Sequence, residues 1–258
     1  MAGLPACGLA ACNSGASRAL FTHHNSAAQR VKVRVLVYGD SNSWGYLDDG
    51  SGQRHDGRWP VVMANSLAAR GHAIELIEEC LPGRTTTADD PEGPTGTPSL
   101  LNGAVPLPAI LLSQQPLDHI LLMLGTNDMK LRFARDAAAI TAGIMALAGI
   151  IRTAPAGHGG WDGTEPAPLT VICPPRLGAR ADDPDWIRFD EWRGGRTASV
   201  DLPAVLEPAC ADAGIGFIDG NDHAVSSPLD PIHWSAATHE RFGAGIAGHL
   251  ADRLAGAA

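Results

Sequence analysis

Val31-Lys32-Val33-Arg34-Val35-Leu36-Val37-Tyr38-Gly39-Asp40-Ser41 is the stretch whose reading decides the fold. Its β-branched run predicts a buried strand over residues 31–38, and Gly39 ends that strand in a turn. Working outward, residues 59–70 carry apolar side chains at helical spacing and stop at Gly71, which predicts a helix. Residues 72–78, 119–124, 169–173 and 215–218 read as further strands, the second of them the most apolar and closed by Gly125. Helices are predicted over residues 136–152, about 198–213 and about 236–254. Strands that alternate with helices imply a mostly parallel sheet covered on both faces. The expected class is α/β, a three-layer α/β/α sandwich with about five strands.

Composition narrows the function. The chain has 258 residues, 45% of them apolar, enough for one substantial core, so a single domain over residues 31–258 is expected. With 28 acidic against 19 basic side chains the net charge is -9, which attracts neither nucleic acid nor an anionic membrane surface. A small neutral substrate fits this balance better. Lys32 and Lys130 are the only lysines. No stretch approaches the roughly 20 apolar residues of a membrane span. Residues 1–30 read as a disordered extension rich in Asn, Ser, Gly and Ala. Within it, Leu9-Ala10-Ala11-Cys12 is superficially like a lipoprotein cleavage site, but no Lys or Arg precedes it and Pro5 breaks the apolar run. The five cysteines are odd in number and contain no Cys-x-x-Cys pair. A reducing, cytoplasmic location is therefore expected, with export by an atypical signal as the alternative.

Ligands of open α/β sheets bind beyond the carboxyl ends of the strands. Three polar clusters fall there: Asp40-Ser41, Pro82-Gly83-Arg84 and Gly125-Thr126-Asn127-Asp128. A fourth, Asp230-Pro231-Ile232-His233, precedes the last helix. Ser41 is a poor nucleophile until a base takes its proton, and His233 is the candidate base. Asp230, three residues earlier, can fold back on the ring and fix its tautomer. Asp219 and Asp222 compete for that task but lie farther along the chain. The loop over residues 81–108 is long and dense in Pro, Gly, Thr and Asp, and loops of that length are commonly functional. No His or Cys set has metal-ligand spacing, and no phosphate or dinucleotide loop is present, so no metal and no cofactor is expected. Gly39-Asp40-Ser41-Asn42 is followed by Ser43 rather than Gly, which excludes an α/β-hydrolase elbow.

Gly39-Asp40-Ser41, Gly83, Gly125-x-Asn127-Asp128 and Asp230-x-x-His233 occur in the order of the SGNH or GDSL hydrolases, which the chain resembles over roughly residues 31–250. It looks most similar to the bacterial arylesterase/acyltransferase group, through Ser43-Trp44-Gly45-Tyr46, Arg84-Thr85-Thr86, Asp89-Asp90-Pro91, Leu101-Asn102-Gly103 and Met123-Leu124-Gly125-Thr126-Asn127-Asp128. The resemblance implies a flavodoxin-like SGNH hydrolase fold with a central five-stranded sheet. It also implies an acyl-enzyme on Ser41, with Asp230 and His233 completing the catalytic set. The oxyanion donors would be the Ser41 and Gly83 backbone N–H groups and the Asn127 amide. Short-chain or aryl esters are the implied substrates, with transfer to alcohols or peroxide as a second outcome. Carbohydrate O-deacetylation is an alternative, and a non-catalytic binding module is an alternative of another class. The expected partners are a small-molecule ester and further copies of the chain as a homo-oligomer.

The chain departs from the family at Asn42, where leucine is common, at Pro82, where a small polar residue is usual, and after Pro174-Pro175. Asn42, Trp44 and Tyr46 are the expected substrate-binding residues. Trp186 and Trp192 are further candidates for an apolar mouth.

Overall fold

A computed structural model describes residues 32–159 and 165–255 of the chain. The expected N-terminal extension lies outside these residues. The first strand, β1 (Val33–Gly39), runs into a one-turn helix, α1 (Ser41–Trp44), and then into α2 (Trp59–Ala69) and β2 (Ile74–Cys80). There follow α3 (Leu107–Gln114), β3 (His119–Met123), α4 (Ala137–Thr153), β4 (Leu169–Cys173), α5 (Phe189–Trp192), α6 (Gly195–Asp212), β5 (Gly216–Asp219) and α7 (Ala236–Ala255). The five strands are all parallel, in the order β2-β1-β3-β4-β5.

The period-two geometry of a strand makes the three layers. Along β1, Val35 and Val37 join one core with Leu121, Met123, Trp59, Met63, Trp234 and Phe242, under α2 and α7. Leu36 and Tyr38 join the other, with Leu122, Leu111, Ile144 and Leu202, under α3, α4 and α6. β3 is buried at every position because it is central and covered on both faces. The edge strand β2 is only half-buried and carries Glu75, Glu78 and Glu79. Arg34 pairs with Glu75 at 2.6 Å and Arg58 with Glu78 at 2.5 Å, so charge blunts that edge.

This strand order has a switch point. From β1 the chain moves outward one way to β2, then returns to build β3, β4 and β5 on the other side. Crossovers leave from the carboxyl ends of β1 and β3 in opposite directions, which opens a crevice between them. Ser41 follows β1, and Asn127 follows β3.

Two expectations need correction. The second strand spans Ile74–Cys80 and so starts two residues later than expected. The loop over residues 81–108 is interrupted by 3-10 turns at Pro94–Gly96 and Pro98–Leu101, and α3 begins before its expected end, at Leu107. Pro106 and Pro108 read as loop formers, yet they flank the first residue of α3, where the missing N–H costs nothing and the fixed φ suits a helix. Among the described residues, no helix is long and apolar enough to cross a membrane.

Candidate active site

The turn after β1 is built by Asp40. Its carboxylate accepts the Asn42 N–H at 3.0 Å and caps α1, while Gly45 ends that helix with φ at 99°. Ser41 is the first residue of α1, so the helix leaves its N–H unused. Asp40 is 1% exposed, and burial pushes its carboxyl up to about 6. Asn42 Nδ2 donates to the Ile232 carbonyl at 3.1 Å, and Asp48 N–H donates to the Trp234 carbonyl at 3.1 Å. These two bonds tie the Ser41 turn to the loop before α7.

That loop carries Asp230 and His233. One Asp230 oxygen accepts the Ile232 N–H at 2.8 Å and the His233 N–H at 3.3 Å. The other lies 2.6 Å from His233 Nδ1. With Nδ1–H directed at Asp230, Nε2 is left as an acceptor, and it stands 3.1 Å from Ser41 Oγ. Burial opposes ionisation of Asp230. The hydrogen bond and charge of His233, with the two backbone N–H groups, outweigh it and hold the carboxyl below its ordinary range. The Tyr46 ring lies 4.3 Å from the His233 ring, centroid to centroid, and limits how it can turn. Of the competing orienters, Asp219 instead caps the 3-10 turn at Gly220–Asp222 through Asn221.

The other two clusters converge on the same place. Gly83 has φ at 88°, the left-handed region, and a Cβ there would meet Leu101 Cδ1 at 3.1 Å. Arg84 is buried beneath this loop. Its guanidinium donates to the Gly39 carbonyl at 3.2 Å and to the Glu79 carbonyl, and it lies 4.2 Å over the Tyr38 ring. It thus staples the ends of β1 and β2. Asn127 Nδ2 donates to the Arg84 carbonyl at 3.1 Å, which uses one of its two N–H groups. Asp128 accepts from the Thr86 N–H at 2.8 Å, the Thr86 hydroxyl at 2.6 Å and Arg135 at 2.7 Å. This network locks the two loops together.

Ser41, Gly83, Asn127, His233, Tyr46 and Leu101 line one cleft of about 470 Å³. That volume suits a small ligand. Two expected substrate contacts are not on its wall. Asn42 is 3% exposed and spends its amide on Ile232, so its polarity serves the His233 loop. Trp44 is off the cleft and sits under the Arg54 guanidinium at 5.6 Å. Trp192 is on the cleft wall, and Trp186 lines the neighbouring hollow of about 310 Å³. The sequence reading missed a group of charged residues on the cleft: Asp90, Lys130, Arg132, Arg188 and Glu191. The only hint was Asp89-Asp90-Pro91. Among the described residues, no cluster of three or more His, Cys, Asp or Glu side chains is placed to hold a metal ion.

The arrangement invites comparison with known proteins. The model of the GDSL-like lipase/acylhydrolase family matches residues 37–241. The structure is similar to Est24, a carbohydrate acetylesterase from Sinorhizobium meliloti, at 32% identity over 86% of this chain and 99% of that one, with a TM-score of 0.75. It is also similar to the aryl esterase of M. smegmatis, at 31% identity over 85% and 99%, with a TM-score of 0.74. A lipase/acylhydrolase from Enterococcus faecalis shares the fold at 20% identity over 86% and 96%, with a TM-score of 0.59. A comparison with curated proteins found no match.

Proposed function

This chain belongs to the GDSL-like lipase/acylhydrolase family and is an ester hydrolase, and we propose that it works through an acyl-enzyme on Ser41 with short-chain or aryl esters as substrates. The observation that carries the reading is the unbroken line from Ser41 Oγ to His233 Nε2 at 3.1 Å and from His233 Nδ1 to Asp230 at 2.6 Å. His233 takes the hydroxyl proton as Ser41 attacks the carbonyl carbon, and Asp230 stabilises the imidazolium. The tetrahedral oxyanion is met by the unused Ser41 N–H, the Gly83 N–H and the second N–H of Asn127. Collapse expels the alcohol with the proton from His233. Water, or an acceptor alcohol or peroxide, then attacks the acyl-enzyme by the same route. The compartment belongs to the reading as well: Cys80, Cys173 and Cys210 are free thiols, which suits a reducing cytoplasm.

Assay of the purified chain with p-nitrophenyl acetate tests the reading. Ser41→Ala is expected to lower kcat by roughly 10⁶-fold. Equal rates for the two proteins overturn it.

A second reading, O-deacetylation of carbohydrates, is favoured by the charged residues on the cleft wall. Asp90, Arg132, Arg188 and Glu191 offer donors and acceptors that a polyhydroxy alcohol can use and an aryl ring cannot. The Sinorhizobium neighbour at 32% identity carries that activity in its name. A higher kcat/KM for an acetylated oligosaccharide than for p-nitrophenyl acetate would select this reading.

A further inference from the structure

The charged wall of the cleft pairs its members unevenly. Arg132 grips Asp90 with two bonds, at 2.9 and 2.7 Å. Arg188 reaches one Glu191 oxygen at 2.9 Å, and Arg132 Nη1 lies 3.4 Å from the other. Lys130 has a side chain only 8% exposed, and its one ionic partner among the described residues is that same Glu191 Oε1, at 3.5 Å. Ammonium–carboxylate hydrogen bonds run at about 2.7–2.9 Å. Glu92 adds little, because its side chain is 69% exposed and its contact with Arg132 is screened by water. Three cations therefore share one buried carboxylate, Asp90, and one half-buried carboxylate, Glu191, and Lys130, with the longest contact, is the most weakly paired of the three.

Lys130 also stands where a ligand would meet it. It follows Asn127 by three residues, lines the same cleft as Ser41 and His233, and has its ammonium 5.6 Å from the centre of the Trp192 ring. An ammonium carries three donors. Burial disfavours its charged form, with Arg132 adding to the effect and Glu191 opposing it, so the group is shifted below the ordinary lysine range. An incoming anion would relieve that cost. The chain as a whole carries a net charge of -9, so any taste for anions must come from a local feature.

We propose that Lys130 is a specificity residue that binds a carboxylate on the substrate, so that carboxylate-bearing esters are preferred over neutral esters of the same size. The proposal rests on the reading of Ser41 as the acylated residue and adds the class of ester it takes. The carboxylate can sit on the acyl half or on the alcohol half, and two substrate pairs separate these sources. The acyl pair is mono-p-nitrophenyl succinate against p-nitrophenyl butyrate. The alcohol pair is 4-acetoxybenzoate against 4-acetoxybenzamide.

The experiment measures kcat/KM for both pairs with the full chain, with Lys130→Met and with Ser41→Ala. Taking the anionic-to-neutral ratio on one preparation removes any difference in the folded fraction. In the wild-type chain at least one pair is expected to favour the anion by tenfold or more. Lys130→Met is expected to lower that ratio by roughly tenfold to a hundredfold, the worth of a hydrogen bond to a charged group. Ser41-dependent hydrolysis with no anionic preference in either pair, or with a ratio that Lys130→Met leaves unmoved, overturns the assignment of Lys130 alone. Hydrolysis that survives Ser41→Ala overturns the reading of Ser41 as the acylated residue and this inference with it.

Discussion

The loops that carry Ser41, His233 and Asp230 are held largely by contacts to backbone, whereas the charged residues that share their cleft are held mostly by one another's side chains. The Ser41 turn is capped by Asp40, the His233 loop by Asp230, and the two are tied through Asn42 and the Ile232 carbonyl. Backbone partners fix an atom to within the tolerance that proton transfer needs. Asp90, Lys130, Arg132, Arg188 and Glu191 instead form a chain of long side chains, with contacts from 2.7 to 3.5 Å. Such a group can change members without disturbing the fold of the sheet. On the proposed reading the two regions divide the labour: one performs the chemistry, and the other selects what reaches it.

Substitutions in the first region should cost rate. Asp230→Asn keeps an acceptor for the Ile232 and His233 N–H groups but presents an NH₂ to His233 Nδ1, which selects the wrong tautomer. We expect kcat to fall by on the order of 10⁴-fold with little change in stability, read from steady-state rates and a thermal melt. Asn127→Ala removes one proposed donor to the oxyanion and should lower kcat by roughly 100- to 1,000-fold, with a smaller effect on KM. A drop in KM-dependent terms alone would assign Asn127 to ground-state binding instead.

Substitutions in the second region should cost stability. Arg132→Leu strands Asp90, which is 1% exposed, and should destabilise the chain by about 3 kcal/mol in urea unfolding at pH 7. Burial raises the Asp90 pKa, but the Arg132 hydrogen bonds overcome it and leave the group below its unfolded value. The stabilisation is therefore present above the unfolded pKa and fades as pH falls through the folded one. The difference between wild type and Arg132→Leu should shrink below about pH 4. A difference that is constant with pH would mean that packing, and not the ion pair, is what Arg132 supplies.

The same division governs what could be read from sequence. Ser41 and His233 are 192 residues apart, yet each lies in a short block with its own turn chemistry, so each was legible by itself. The strands were legible because β1 and β3 are central and mostly apolar. α3 was not, because Pro106 and Pro108 argue for a loop until the first-turn position is known. The charged wall was not legible for a different reason. Arg132 meets Asp90 across 42 residues and Glu191 across 59, and of these only Asp90, in Asp89-Asp90-Pro91, lies in a segment that the sequence marks. Asn42 and Trp44 were placed on the cleft by their closeness to Ser41, but α1 turns Asn42 inward and Arg54 covers Trp44.

The most direct test of the account is to label the chain with a p-nitrophenyl phosphonate and locate the adduct by peptide mass spectrometry. The account predicts one phosphonyl group per chain, on Ser41, formed at a rate that His233→Ala lowers by orders of magnitude. An adduct on any other residue, or full ester hydrolysis by a chain whose Ser41 is already labelled, would contradict it.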